Sequence, residues 1–111
     1  ISNFEWKKRI LLLIANDEDI NLIRGVESFF IKEACQNNDR NIVLYKIIGD
    51  EIRKYKIPRR YEGKNGIWLI GYDGGDKAYS RDLSLLNKLY GIVDKMPIRR
   101  DEILNQESQC D

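Results

Sequence analysis

In Arg9-Ile10-Leu11-Leu12-Leu13-Ile14-Ala15 the arginine leads a continuous apolar run without polar alternation. A strand open to water on one face would alternate, so this run suits a central strand covered by helices on both faces. It ends in Asn16-Asp17-Glu18-Asp19, a polar turn that can cap a helix and set carboxylates against its positive end. Downstream, Ile20, Ile23, Val26, Phe30 and Ala34 recur at spacings of three and four, while Arg24, Glu27, Ser28 and Lys32 can face water. This predicts a helix to about Cys35, broken by the polar stretch Gln36–Asp39.

Ile42–Ile48 is a β-branched run bounded by Gly49 and predicts a second strand parallel to the first. From Asp50 to Gly66 the chain is polar and basic, with a short helix that must stop before Ile57-Pro58 and loop beyond it. Ile67–Tyr72 reads as a third strand, Asp73-Gly74-Gly75 as a hairpin turn, and Lys77–Ser80 as its antiparallel return. Asp82 can cap a last helix bearing Leu85, Leu89, Ile92 and Met96 on one face and ending at Pro97. Gly91 inside that helix costs about 1 kcal/mol relative to Ala, which suggests either close packing against a neighbour or a tolerated flaw.

The 111 residues make one domain, long enough to bury a core without metal or several disulfides. With 42% hydrophobic and 33% charged residues the composition is that of a folded globular chain. Lys plus Arg (19) nearly cancels Asp plus Glu (18), so no global field draws the chain to DNA or an anionic membrane. The longest apolar run is strand-sized, far short of the roughly 20 residues that cross a bilayer. The chain opens at Ile1 rather than Met, which suggests an upstream piece removed by processing or design, a signal peptide being one candidate.

Strand, helix, strand, irregular segment, strand, hairpin, strand, helix is the order of an α/β fold. A right-handed βαβ unit followed by a ββα unit forms the thioredoxin-like core, a mixed four-stranded sheet with helices packed on it. The expected organisation is a single such domain over 1–111 with a polar tail from about 98.

Three stretches carry a resemblance as well: Arg9–Asp19 with Arg24, Leu69–Lys77 with its glycine hairpin, and Val93-Asp94-Lys95-Met96-Pro97-Ile98-Arg99-Arg100-Asp101-Glu102. In that order and spacing they resemble the thioredoxin-like domain of unknown function found in bacterial exported proteins. Related copies occur in the vertebrate sushi-repeat-containing proteins and the matrix protein down-regulated by oncogenes. The resemblance implies a peroxiredoxin-related fold, export and, in the vertebrate relatives, adhesion and matrix association. It implies no catalytic residue. The chain departs from the pattern at Tyr72, where many relatives carry Lys, and over Arg59–Gly66.

Thioredoxin-like enzymes hold a reactive Cys where the first strand meets the first helix, because backbone N–H groups there lower the thiol pKa. Asn16, Asp17, Glu18 and Asp19 occupy that corner, without sulfur and with charge of the wrong sign. The two cysteines are Cys35 and Cys110. In the expected topology the first and last helices finish at one end of the sheet, so the two can meet, and the sushi-repeat relatives keep a Cys in both neighbourhoods. A bond there would contribute about 4–5 kcal/mol in the chain-entropy model. The other reading is one buried and one exposed thiol.

Histidine is absent, which removes the commonest general base and zinc ligand, so no catalytic residue, metal or cofactor is assigned. Asp17, Glu18 and Asp19 lack EF-hand spacing, and Gly71, Gly74 and Gly75 lie between strands and match no phosphate loop. The basic segment with Arg53, Lys54, Lys56, Arg59, Arg60 and Lys64 is the candidate for binding an anionic partner. Against it, Asp50, Glu51 and Glu62 lie close by, and the acidic turn leaves the same end of the sheet. Arg99 and Arg100 suggest exposed pairs with Asp94, Asp101 and Glu102, each contributing about 0–1 kcal/mol.

The sequence is thus read as a non-catalytic binding or adhesion-type module of an exported protein, whose partner is another protein or an anionic polymer. The alternatives are a thiol-dependent oxidoreductase or peroxidase using Cys35, and nucleic-acid binding through the basic segment.

Overall fold

The computed structural model describes residues 7–54, 57–105 and 110. Its elements are β1 (Arg9–Ala15), α1 (Ile20–Lys32), α2 (Ala34–Asp39), β2 (Ile42–Ile48), α3 (Glu51–Lys54), a 3-10 turn (Arg59–Tyr61), β3 (Gly66–Ile70), β4 (Asp76–Ser80), α4 (Ser84–Asp94) and α5 (Pro97–Asn105). The sheet order is β2-β1-β3-β4. β1 runs parallel to β2, with Arg9 opposite Ile42, and antiparallel to β3, with Leu12 opposite Trp68. The fold is α/β with a mixed four-stranded sheet.

Every residue of β1 is buried, and alternation sends its side chains to opposite faces. Leu11, Leu13 and Ala15 meet Val26 of α1 and Leu85, Leu89 and Val93 of α4. Ile10, Leu12 and Ile14 meet Ile47, Tyr61, Trp68 and Ile70 on the other face. Two separate apolar layers therefore share one strand, which is why its sequence shows no polar alternation. Tyr61 reaches the second layer from the 3-10 turn, its ring edge-on to Trp68 at 5.1 Å. This turn falls where the sequence suggested only loop.

The first helix breaks at Glu33, and α2 runs on through Gln36–Asp39, the stretch expected to end helical structure. Side-chain bonds explain the continuation: Arg40 donates to the Gln36 carbonyl and Oε1, and Asn37 is buried with its Oδ1 accepting from Tyr90. Ala34 is exposed and Ile20 half-exposed, so the expected stripe is buried only in its middle. Asp19 precedes α1 without capping it, whereas Asp82 Oδ1 accepts from the Ser84 N–H at the start of α4. Pro97 opens α5 instead of merely closing α4, since proline suits a first helical turn where no N–H partner is needed. α5 makes nine residues of helix where the sequence suggested a polar tail from about 98. Gly91 has open space around its Cα, which is tolerance; the closely packed helix glycine is Gly25, against Leu83.

Candidate functional site

Where β1 gives way to α1, three chain segments enclose an open groove of about 1590 Å³. One wall is the turn Asn16–Asp19 with the start of α1, a second is Tyr61–Asn65, and a third is Arg81–Asn87. Ile14, Leu22, Phe29, Ile52 and Ile57 supply its apolar surface. Asp19 joins two walls, its Oδ2 accepting from the Asn16 backbone N–H at 2.9 Å and from Asn65 Nδ2 at 3.3 Å. The side chain expected to cap α1 is thus spent on holding the groove's shape. Glu18, Asp19, Glu62 and Asp82 line the groove beside Lys64 and Arg81, so among the described residues both signs of charge face it. No group of three or more acidic, Cys or His side chains gathers to hold a metal among the described residues.

The structure divides the basic segment. Lys54, Arg59, Arg60 and Lys64 are exposed, while the Arg53 side chain and Lys56 lie outside the described residues. Arg60 is turned toward the hairpin: it donates to the Gly74 carbonyl at 2.9 Å, approaches Asp76 at 3.6 Å and lies over the Tyr61 ring at 4.9 Å. Tyr61 in turn donates to Asp76 at 2.5 Å. Burial, reinforced by the Asp76 carboxylate, pushes the Tyr61 pKa up to about 12. Lys64 alone of the six lines the groove among the described residues. The acidic turn meets this segment through Asn65, without an ion pair among the described residues.

At the other end of β1 the chain builds a buried arginine network, of which the sequence suggested only the Arg99 pairs with Asp94 and Glu102. Arg9 is 1% exposed. Its Nη1 donates to Glu102 at 3.0 Å, the Arg40 carbonyl at 2.7 Å and the Tyr72 hydroxyl at 3.2 Å, and the Tyr72 ring lies 4.3 Å from the guanidinium carbon. Its Nε and Nη2 are buried without a hydrogen-bond partner. Tyr72 donates to Glu102 at 2.6 Å, and burial first, then that bond, raises the Tyr72 pKa. Arg40 grips Asp94 with two bonds of 3.0 Å and stacks on Tyr90. Arg99, expected in exposed pairs, is buried and joins Asp39, Asp94 and Glu102. Burial works against the Asp94 carboxylate, but the bonds and charges of Arg40 and Arg99 outweigh it and lower the pKa.

Much of this network lies in the stretches that carry the resemblance: Arg9, Tyr72, Asp94, Arg99 and Glu102. The available signal was a cation leading a fully apolar strand, which must find an acceptor once buried. Beside the network the sulfurs of Cys35 on α2 and Cys110 stand 2.11 Å apart, with Cα atoms at 5.8 Å, a disulfide distance.

Sheet, groove and arginine network define an α/β domain with its concave surface at one end of the central strand and its ionic lock at the other. The chain belongs to the family described as a domain of unknown function, DUF4174, whose model matches residues 1–65. That match spans β1 to the eve of β3 and includes Arg9, Asp39 and Arg40, whereas Asp94, Arg99 and Glu102 lie beyond it. Comparison with curated proteins and with solved structures gave no match.

Proposed function

We propose that this is a non-catalytic, thioredoxin-like binding module of an exported protein, engaging a macromolecular partner through the groove at the C-terminal end of β1. The β1–α1–β2 unit followed by β3–β4–α4 follows the order of a thioredoxin-like core. One observation carries the reading: the corner that would hold a nucleophilic thiol holds Asn16–Asp19, while both cysteine sulfurs of the chain stand together beside α2. A paired sulfur is no nucleophile, and paired cysteines suit an oxidising compartment. An open groove with apolar walls and a mixed polar rim suits a side chain or chain segment of another molecule.

Peroxide and disulfide-substrate turnover tests the absence of catalysis. Measurable turnover that vanishes in Cys35→Ser would replace this reading with the oxidoreductase one. Titration with heparin, followed through backbone amide resonances, tests an anionic partner. Salt-sensitive shifts gathered on Asn16–Ile20 and Glu62–Asn65 support the groove with Lys64 as its cationic contact. Shifts gathered elsewhere exclude it.

A further inference from the structure

We propose that the Cys35–Cys110 pair is a redox-controlled latch on α5, so that its reduction releases α5 while the sheet and the other helices stay folded. The helix is attached unlike any other long helix of the domain. α4 buries Leu85, Leu89 and Val93 in the apolar layer, and α1 buries Val26. The buried residue of α5 is an arginine, Arg99, while Ile98, Ile103 and Leu104 are 45%, 50% and 82% exposed. Polar bonds hold it: Arg99 to Asp39 and Asp94, Glu102 to Arg9 and Tyr72. Little apolar burial therefore opposes its opening, and its charges regain water when it lifts, so α5 can open while the apolar layers stay closed.

Cys110 lies five positions past Asn105, the last residue of α5, and its sulfur reaches Cys35 on α2. α2 is also the helix whose Asp39 receives Arg99. Cys110 is therefore tied to the same helix that holds the start of α5, which keeps Arg99 and Glu102 at high effective concentration near their partners. Among the described residues, neither cysteine is part of the two apolar layers. Cys35 is exposed and Cys110 half-buried, within reach of a dithiol from solution.

In the opening step a thiolate of the dithiol attacks one sulfur, the bond between the cysteines breaks, and a mixed disulfide forms. The second thiol of the reductant displaces it. Cys35 and Cys110 end as two thiols, having taken up two electrons and two protons, and the dithiol ends as a disulfide. A disulfide in solution reverses the sequence by the same exchange, leaving as a dithiol with the two electrons and two protons, and closes the latch.

The test compares the whole domain, oxidised and reduced with dithiothreitol, by hydrogen exchange and brief trypsin treatment. On reduction, exchange in residues 98–105 should accelerate on the order of tenfold or more while β1 and α4 keep their protection. Trypsin should then cut after Arg99 or Arg100 in the reduced protein and spare the oxidised one. A variant carrying both Cys35→Ser and Cys110→Ser should behave as the reduced protein without any reductant. Unchanged protection of α5 on reduction overturns the proposal. Loss of protection in β1 and α4 together with α5 also overturns it, since the pair would then be a cross-link of the whole domain.

Discussion

Arg9, at the start of β1, and Glu102, in α5, meet at 3.0 Å across 93 positions of sequence, one side chain 1% exposed and the other 16%. A buried guanidinium beside an apolar layer needs a counter-charge, and this carboxylate, also taking the Tyr72 hydroxyl, supplies it.

Glu102→Ala leaves Arg9 buried without its anion, though still bonded to the Arg40 carbonyl. The expected loss is about 3 kcal/mol, the usual result of breaking one side of a buried pair. Urea unfolding measures it, and a loss below about 1 kcal/mol, typical of an exposed pair, would contradict the burial of the contact.

Acid should weaken the same end of the molecule. The folded pKa of Asp94 lies below its unfolded value, so its contribution is present above the unfolded value of about 3.9 and is lost as pH falls through the folded one. Thermal unfolding should therefore show melting temperature dropping below about pH 4, with a shallower drop in Asp94→Asn. Identical acid limbs in the two proteins would refute this role.

The alkaline limb has different owners. Burial pushes Tyr61 and Tyr90 up to about 12, helped by Asp76 for the first and by the Glu33 charge for the second. Their contribution is intact below the unfolded tyrosine value of about 10 and is lost as pH rises toward 12. An ultraviolet titration of the phenols should show Tyr61→Phe deleting a late-ionising group, whereas a common midpoint near 10 in the folded protein would argue against both.

Two glycines should respond oppositely to alanine. Gly91 in α4 has nothing near the position of an added Cβ, so Gly91→Ala should stabilise by about 0.5–1 kcal/mol. Gly66 has φ +142°, and an added Cβ would press on the Ser80 carbonyl oxygen of β4, so Gly66→Ala should cost more than about 1 kcal/mol. Chemical denaturation of both variants decides, and equal effects would contradict the packing described.

Local pattern was enough for the strands. The six apolar residues Ile10–Ala15 of β1 announced two covered faces, and Asp73-Gly74-Gly75 announced the turn, with Gly74 at φ +79°. The break of the first helix at Glu33 was not legible, because the bonds that sustain α2 come from Arg40 and Tyr90. Of the groove, the acidic turn was visible and its link through Asn65 was not. The basic segment looked uniform in sequence, yet Arg60 bends back to the hairpin.

What the amino-acid order determined alone is therefore what depends on neighbours within a turn or a strand, together with the plain absence of sulfur and imidazole at the end of β1. Tertiary structure decided which charges are buried and with whom. Arg99 and Glu102 read as surface residues, and the partners of Arg9 went unread, because a salt bridge leaves no periodic trace when its partners lie far apart in the chain. Folding brought α2, α5 and the start of β1 together, and desolvation then made those charges bind one another rather than water.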